Sequence, residues 1–390
     1  MNFAFIAMRK VCWSMNKLIR RYHQLKMIPL IALSKILSCT RKKTHWVLHE
    51  RGTDARDNAF FFYLYLKEKH PEQKVYYIVD KNSPDYDKVK EDAVHFGSLK
   101  NYWAIATAEK IISTHCFFGL PCMNSKLFRF CGLNRKFYFL QHGITGHFLS
   151  QMHFENSKIK MLFCAAKPEY EYMMCKYGYP EENLRYTGFA RYDTLHNIKT
   201  KKQILIMPTW RIYLSDEKTF LESSYYHQWN QVLRDPQLAE YLEKNDLIAV
   251  FYPHFEMQKY LHHFQPGSDR IILGYFSYFD VQTLLKESKL LVTDYSSVFF
   301  DFAYMRKPVI YFQFDQEEFF SRHYSRGYFS YLQMGFGPVV DNCQDMICAI
   351  VQSAESGFCS TDEYLRRMDC FFPLNDQKNC ERIYNAIRPA

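Results

Sequence analysis

Short apolar runs alternate with longer amphipathic stretches from about residue 45 onward. Residues 46–49, 75–79, 111–114, 137–140 and 161–165 have the length and the β-branched or aromatic content of buried strands. Residues 60–69, 99–109 and 168–177 between them read as helices. A polar run at 197–203 looks like a linker, and the alternation then restarts. Strands are predicted at 204–207, 247–252, 271–273, 290–293 and 308–312. Helices are predicted at 226–244 with a break at Pro236, and at 281–286, 298–305, 344–355 and 377–387. Strands that alternate with helices imply parallel βαβ units, hence an α/β chain of two doubly wound, Rossmann-like domains. The expected division is a leading segment 1–43, a first domain 44–196 and a second domain 197–390.

The leading segment has its own pattern. Val11, Met15, Leu18, Tyr22 and Leu25 recur at helical spacing and form one apolar stripe. Residues 1–43 hold ten Lys and Arg and no Asp or Glu. Removing those ten from the chain's 50 leaves 40 basic residues against 41 acidic ones, so the net charge of +9 is local. A near-neutral body excludes a broad nucleic-acid surface. A basic amphipathic helix suits an anionic membrane surface, and the apolar run 27–37 is too short to span a bilayer. The expected location is therefore peripheral, at a membrane surface. No secretory signal pattern is seen, because the first apolar residues precede the basic ones. Twelve cysteines with no C-x-x-C pair fit a reduced compartment.

The chemistry is expected where predicted strands end. Asp294, Ser296 and Ser297 break the pattern between a strand and a helix, where unpaired N–H groups attract a phosphate. The alternative is a plain helix cap. Thr209 and Arg211 follow the strand at 204–207, and His254 follows the one at 247–252. Parallel strands bring all these ends to one edge. In the first half, His142-Gly143 follows the strand at 137–140, and histidine titrates in the range of a general base. Gly188, Arg191 and Asp193 form a weaker constellation, with Arg191 free to pair with a phosphate or with Asp193. Asp85-Tyr86-Asp87 has a D-x-D spacing but is read as a solvated turn. No metal cluster is legible, and a divalent cation such as Mg2+ on a pyrophosphate is left open.

These residues occur in a known order. His142-Gly143, the G-x-x-R-x-D of Gly188, Arg191 and Asp193, Pro208-Thr209-Trp210-Arg211, Pro253-His254, the TDYSSVFFDFA block containing Asp294 and Asp301, KPVIYF from Lys307, and Arg326-Gly327 all appear in sequence. The chain resembles the CDP-glycerol:poly(glycerophosphate) glycerophosphotransferases, which build teichoic acids and related capsular polymers. The resemblance implies a GT-B-like pair of Rossmann domains, with the donor held mainly by the second domain and the reaction in the cleft. It implies His142 as general base, His254 as a donor pyrophosphate contact, Ser296 and Ser297 as phosphate-binding serines, and Arg211 and Arg326 as further donor contacts. It also implies a CDP-glycerol or related CDP-polyol donor, CMP as product, a lipid-linked polymer acceptor and peripheral attachment to the cytoplasmic face of the membrane. The run His142-Gly143-Ile144-Thr145-Gly146-His147 departs from the T-P-L-K that commonly follows HG in teichoic acid members, so the acceptor side differs. Two other readings stay open at this stage. One is a GT-B glycosyltransferase that uses a nucleotide sugar. The other is a non-catalytic scaffold of a polymer-assembly complex.

Overall fold

Val, Ile, Leu and aromatic residues that run without polar interruption can be buried on both sides only in a sheet covered by helices on each face. A computed structural model shows that arrangement twice. It describes residues 29, 45–115, 126–196 and 198–388. The apolar stripe at 11–25 and nearly all of the run 27–37 lie outside the described residues.

The first sheet has seven strands: β1 (His45–His49), β2 (Lys74–Val79), β3 (Ala93–His95), β4 (Lys110–Ser113), β5 (Phe137–Phe139), β6 (Met161–Cys164) and β7 (Leu184–Tyr186). Their order is β3-β2-β1-β4-β5-β6-β7, and every pairing is parallel. The second sheet has six: β8 (Gln203–Ile206), β9 (Ile248–Phe251), β10 (Ile271–Leu273), β11 (Leu290–Thr293), β12 (Val309–Phe312) and β13 (Val339–Val340). Its order is β10-β9-β8-β11-β12-β13, again all parallel. Both sheets reverse their winding between the first and fourth strands, at β1/β4 and at β8/β11. Ligands of such sheets bind at the carboxyl ends of the strands beside that reversal.

The expected α/β class and doubly wound topology are observed. The break at Pro236 is real: Asp235 ends one helix, Ser224–Arg234, and caps the next, Pro236–Lys244, by accepting from the N–H groups of Gln237 and Leu238. The strands β3, β7 and β13 carried too few residues to leave a periodic signal. The helix Asp362–Phe371 buries only Met368 and Phe371, too few to leave a clear apolar stripe.

The chain forms two compact units, one of residues 1–142, 150–193 and 376–390, the other of 143–149 and 194–375. Compared with a linear division after residue 196, two short segments are exchanged. The C-terminal helix Asn379–Ile387 belongs to the first unit, where Cys380, Ile383 and Ile387 join a core with Trp46, Phe62 and Tyr77. Asp193 holds its first turn, accepting from the Asn379 N–H, the Asn379 side chain and the Cys380 N–H at 2.8–2.9 Å. Gly188 admits this helix: its φ is +81°, and a Cβ there would meet Asn379 Oδ1 at 1.9 Å.

A second device appears once in each unit. Lys136, just before β5, donates to the carbonyls of Ile105, Ala106 and Ala108 at the end of the helix Leu99–Thr107. Lys307, just before β12, donates to the carbonyls of Leu285, Lys286 and Ser288 at the end of the helix Val281–Glu287. Each ammonium takes three carbonyls that the helix leaves unpaired and opposes its negative end. Burial lowers the Lys307 pKa to about 8.

Asp193→Ala removes the acceptor for three donors of the terminal helix. Urea unfolding should show a loss of about 2–4 kcal/mol, and limited proteolysis should cut first near residue 376. Wild-type stability and cleavage in this variant would show that the clamp is not structural.

Candidate active site

In the first unit the ends of β1, β4 and β5 carry His49, Ser113-Thr114-His115 and Gln141-His142. His49 is paired in register with Ser113. The Ser113 hydroxyl donates to the His115 carbonyl at 2.6 Å, so it accepts from His49 Nδ1 at 3.2 Å and from the His115 N–H at 3.2 Å. Thr114 is fully buried and holds two imidazoles: its hydroxyl lies 2.8 Å from His115 Nδ1, and its carbonyl lies 3.4 Å from His142 Nδ1. A carbonyl can only accept, so Nδ1 of His142 carries the proton and Nε2 keeps the lone pair. Desolvation, followed by the Arg51 charge, lowers the His142 pKa to about 4. The residue is exposed to solvent on its open side.

The backbone before His142 is strained. Gln141 has φ +56°, in the left-handed region that a side chain of this size seldom occupies. Three bonds hold it there. Its carbonyl accepts from Asn58 Nδ2 at 2.8 Å. Its amide donates to the Phe163 carbonyl at 2.7 Å and to Glu169 at 3.3 Å, and Glu169 in turn accepts from the Ala165 N–H. Asn58 starts the helix Asn58–Lys69 and accepts from the Arg191 N–H. Arg191 pairs with Asp57 at 3.0 Å, not with Asp193. It therefore supports the loop at 50–58. Glu50 anchors the same loop by accepting from the N–H groups of Arg56, Asp57 and Phe60, and burial raises its pKa to about 8. Asp85 corrects one expectation. It is buried rather than solvated, and it accepts from the Ala55 N–H, Arg56 and Lys88.

In the second unit the ends of β8 and β11 are joined by charge. Arg211 is fully buried and paired with Asp294 at 2.9 Å and with Asp315 at 2.8 Å. Its remaining donors reach the carbonyls of Thr209 and Trp210. Tyr225, Tyr295 and Phe319 cover the guanidinium at 4.7–5.2 Å. Arg211 and Asp294 were expected as donor contacts. The structure instead commits them to each other beneath the surface. Asp294 also accepts from the N–H groups of Thr209 and Tyr295, which fixes the start of the serine loop.

The serines lie above this base. Ser297 stands before the helix Val298–Tyr304 but makes no side-chain cap bond, and its residue is exposed. The alternative of a plain serine cap is not realised by Ser297, whose backbone is helical at φ −62° and ψ −7° instead of the extended geometry of a cap. Asp301 is buried within that helix. Gly143 passes close by: a Cβ on it would lie 3.0 Å from the Ser297 hydroxyl.

At the end of β9, His254 Nδ1 accepts from the Glu256 N–H at 3.3 Å, and the ring stacks on Trp210 at 5.8 Å. His323, which sequence reasoning missed, lies edge-on to Trp210 at 4.8 Å and accepts at Nδ1 from the Ile212 N–H. Its neighbour in sequence, Arg326, was the available signal. Arg326 is exposed and lies over Phe320 at 4.3 Å. Gly327 permits a close crossing, since a Cβ there would meet the Gly146 carbonyl at 2.1 Å. His147, noted only as a departure from a pattern, packs on Tyr324 and donates to the Tyr295 carbonyl at 3.3 Å. Burial lowers the pKa of His147 to about 4 and that of His323 to about 3.

Among the described residues, one group of three could ligate a metal: Glu217, His262 and His263, none of them in the strand-end loops above. Among the described residues, no helix is long and apolar enough to cross a membrane.

A family model described as CDP-Glycerol:Poly(glycerophosphate) glycerophosphotransferase matches residues 31–388. The chain is 34% identical over 369 residues to the minor teichoic acid biosynthesis protein GgaB of Bacillus subtilis (strain 168), covering 90% of this chain and 40% of that protein. It is 27% identical over 419 residues to the teichoic acid poly(glycerol phosphate) polymerase of the same organism, covering 97% of this chain and 52% of that one. The chain thus spans about half the length, or less, of these curated relatives. The solved structure of the wall teichoic acid polymerase TagF shares its fold, with a TM-score of 0.67 at 16% identity over 97% of this chain and 96% of that one.

Arg211→Met leaves two buried carboxylates without their cation. Urea unfolding should show a loss of about 3–5 kcal/mol, and a loss within error would mean that the pair is solvated. A second expectation concerns acid. Unfolded His147 and His323 bind protons near pH 6.5, but the folded residues do so only near 4 and 3. The unfolded state therefore holds more protons in that window, and stability falls as pH drops from 6.5 toward 4. His323→Gln should reduce the slope of unfolding free energy against pH by up to about one proton. An unchanged slope would show that His323 titrates normally.

Proposed function

Because the chain belongs to the CDP-glycerol:poly(glycerophosphate) glycerophosphotransferase family, we propose that it transfers a polyol phosphate from a CDP-activated donor to a polymer hydroxyl. Glycerol phosphate is the first candidate, the acceptor is a membrane-linked teichoic-acid-like or capsular polymer, and CMP is released. The polymer class is supported by the relatives' names, which are of teichoic acid synthesis. Membrane association is supported by the ten cationic side chains within residues 1–43.

The observation that carries the reading is His142. Thr114 fixes the tautomer that leaves Nε2 free to accept a proton, and the lowered pKa keeps the ring neutral at working pH. A general base needs an unprotonated nitrogen within reach of the proton it takes. The acceptor oxygen attacks the β-phosphorus in line as Nε2 takes its proton. The bond from that phosphorus to the CMP oxygen breaks, and CMP leaves with the electron pair. Phosphoryl transfer asks the protein mainly for position and for charge to meet the phosphate oxygens. Ser296 and Ser297, whose hydroxyls have no partner among the described residues, supply donors. His254 and Arg326 supply the imidazole and the cation. Arg211 acts from below by holding Asp294 and so the loop that carries the serines.

With CDP-glycerol and a synthetic lipid-linked glycerol-phosphate acceptor, His142→Ala should lower the rate of CMP release about 10²–10⁴-fold while CDP-glycerol binding persists. Ser297→Ala and His254→Ala should mainly raise KM for the donor. Near-normal turnover in His142→Ala would remove the base. A product that gains sugar but no phosphorus would remove the reaction class.

A further inference from the structure

We propose that His115 is a positioning residue for this reaction: stacked face to face on His142 and tied to the same threonine, it keeps the ring of the base in place and covers the imidazolium that forms when Nε2 takes a proton. The inference rests on the reading of His142 as general base.

The geometry comes from the sheet. β4 and β5 are neighbours, with Ser113 paired to Phe139. Adjacent strands lie about 4.8 Å apart. Residues that leave two such strands at the same level therefore arrive at stacking distance. The rings of His115 and His142 have centroids 4.4 Å apart and planes 16° from parallel. Thr114 stands between their attachments and bonds one ring through its hydroxyl and the other through its carbonyl. Neither ring can turn without breaking a bond to this one buried residue.

The chemistry follows from the stack. A neutral imidazole presents a π face, and a cation over such a face is stabilised. Two charged rings at this distance would repel, so the pair holds one proton at most. The charged groups around the pair are Arg51 and Arg191 near His142, and Arg51 and His49 near His115. Burial and these neighbours hold the His115 pKa well below its usual value, so the proton goes to His142. It arrives from the acceptor hydroxyl as the new P–O bond forms. It leaves to solvent from the exposed flank of His142. His115 gains and loses nothing in the cycle. A residue that only filled space would be indifferent to the charge on its neighbour.

The test uses the full-length protein in two arms. The first is NMR of ¹⁵N-histidine-labelled wild type between pH 6 and 8, assigned with His142→Ala. His142 in the Nδ1–H tautomer supports the proposal, and the Nε2–H tautomer overturns it. The second arm compares His115→Leu, which removes the π face, with His115→Phe, which keeps it. Release of CMP from CDP-glycerol with the synthetic lipid-linked acceptor should show kcat lowered about threefold to thirtyfold in the leucine variant. KM for CDP-glycerol should stay within about twofold, because the donor groups are untouched. The acid limb of kcat should move to lower pH in the leucine variant and stay in place in the phenylalanine variant. Wild-type kcat in His115→Leu, or equal loss in both variants, overturns the inference. If the variants do not fold, the same labelled wild type titrated below pH 6 decides it: His115 ring signals that shift as His142 gains its proton support the stack, and signals indifferent to that proton overturn it. A wild type that releases no CMP sinks the transfer reading itself, whereas an active wild type with an indifferent His115 sinks only this proposal.

Discussion

Arg211 is the constraint on which the second unit's site depends. One guanidinium, fully buried, is shared between Asp294 after β11 and Asp315 after β12, while it also bonds the carbonyl of Thr209 after β8. Three strand ends are thereby fixed by a single cation. Its desolvation cost is high, and only complete satisfaction of its donors makes such a group tolerable in a core. The aromatic faces of Tyr225, Tyr295 and Phe319 complete that satisfaction. With Asp294 held from below, the serine loop above it can leave its hydroxyls unengaged without losing its shape.

The first unit ties its strand ends mainly through hydrogen bonds rather than through one shared cation. The strand ends β1, β4 and β5 are tied by Ser113, Thr114, Asn58 and Gln141, in bonds between side chain and backbone. The contrast suits the roles proposed. A base must stay neutral until it acts, and the charges of Arg51 and Arg191 near His142 favour that state. Anionic phosphates need a firm floor beneath their donors, and an ion network provides that.

The fold was legible because strands buried on both faces leave continuous apolar runs, and β1, β4, β9 and β11 were found to within a residue or two. The two-residue β13 left no such run. At the site, the positions of His142, His254, Ser296 and Ser297 could be read, because strand-end loops follow directly from strand assignment. The state of each side chain could not. Whether Arg211 faces a ligand or a carboxylate depends on Asp315, about a hundred residues away in sequence. Arg191 turned out to meet Asp57, and Asp85 to be buried, for the same reason. His323 was overlooked because a lone histidine among aromatic residues carries no pattern.

The clamp of Asp193 on the terminal helix has a consequence for how the chain is made. The two partners lie 186 residues apart. A ribosome delivers residues in order, and the second unit, residues 194–375 with a short earlier segment, is fully synthesised before the helix Asn379–Ile387 emerges. The first unit, begun earlier, therefore waits with part of its core open until Cys380, Ile383 and Ile387 arrive. The half that carries the proposed base is the last to close, so a nascent chain completes its second unit before its first.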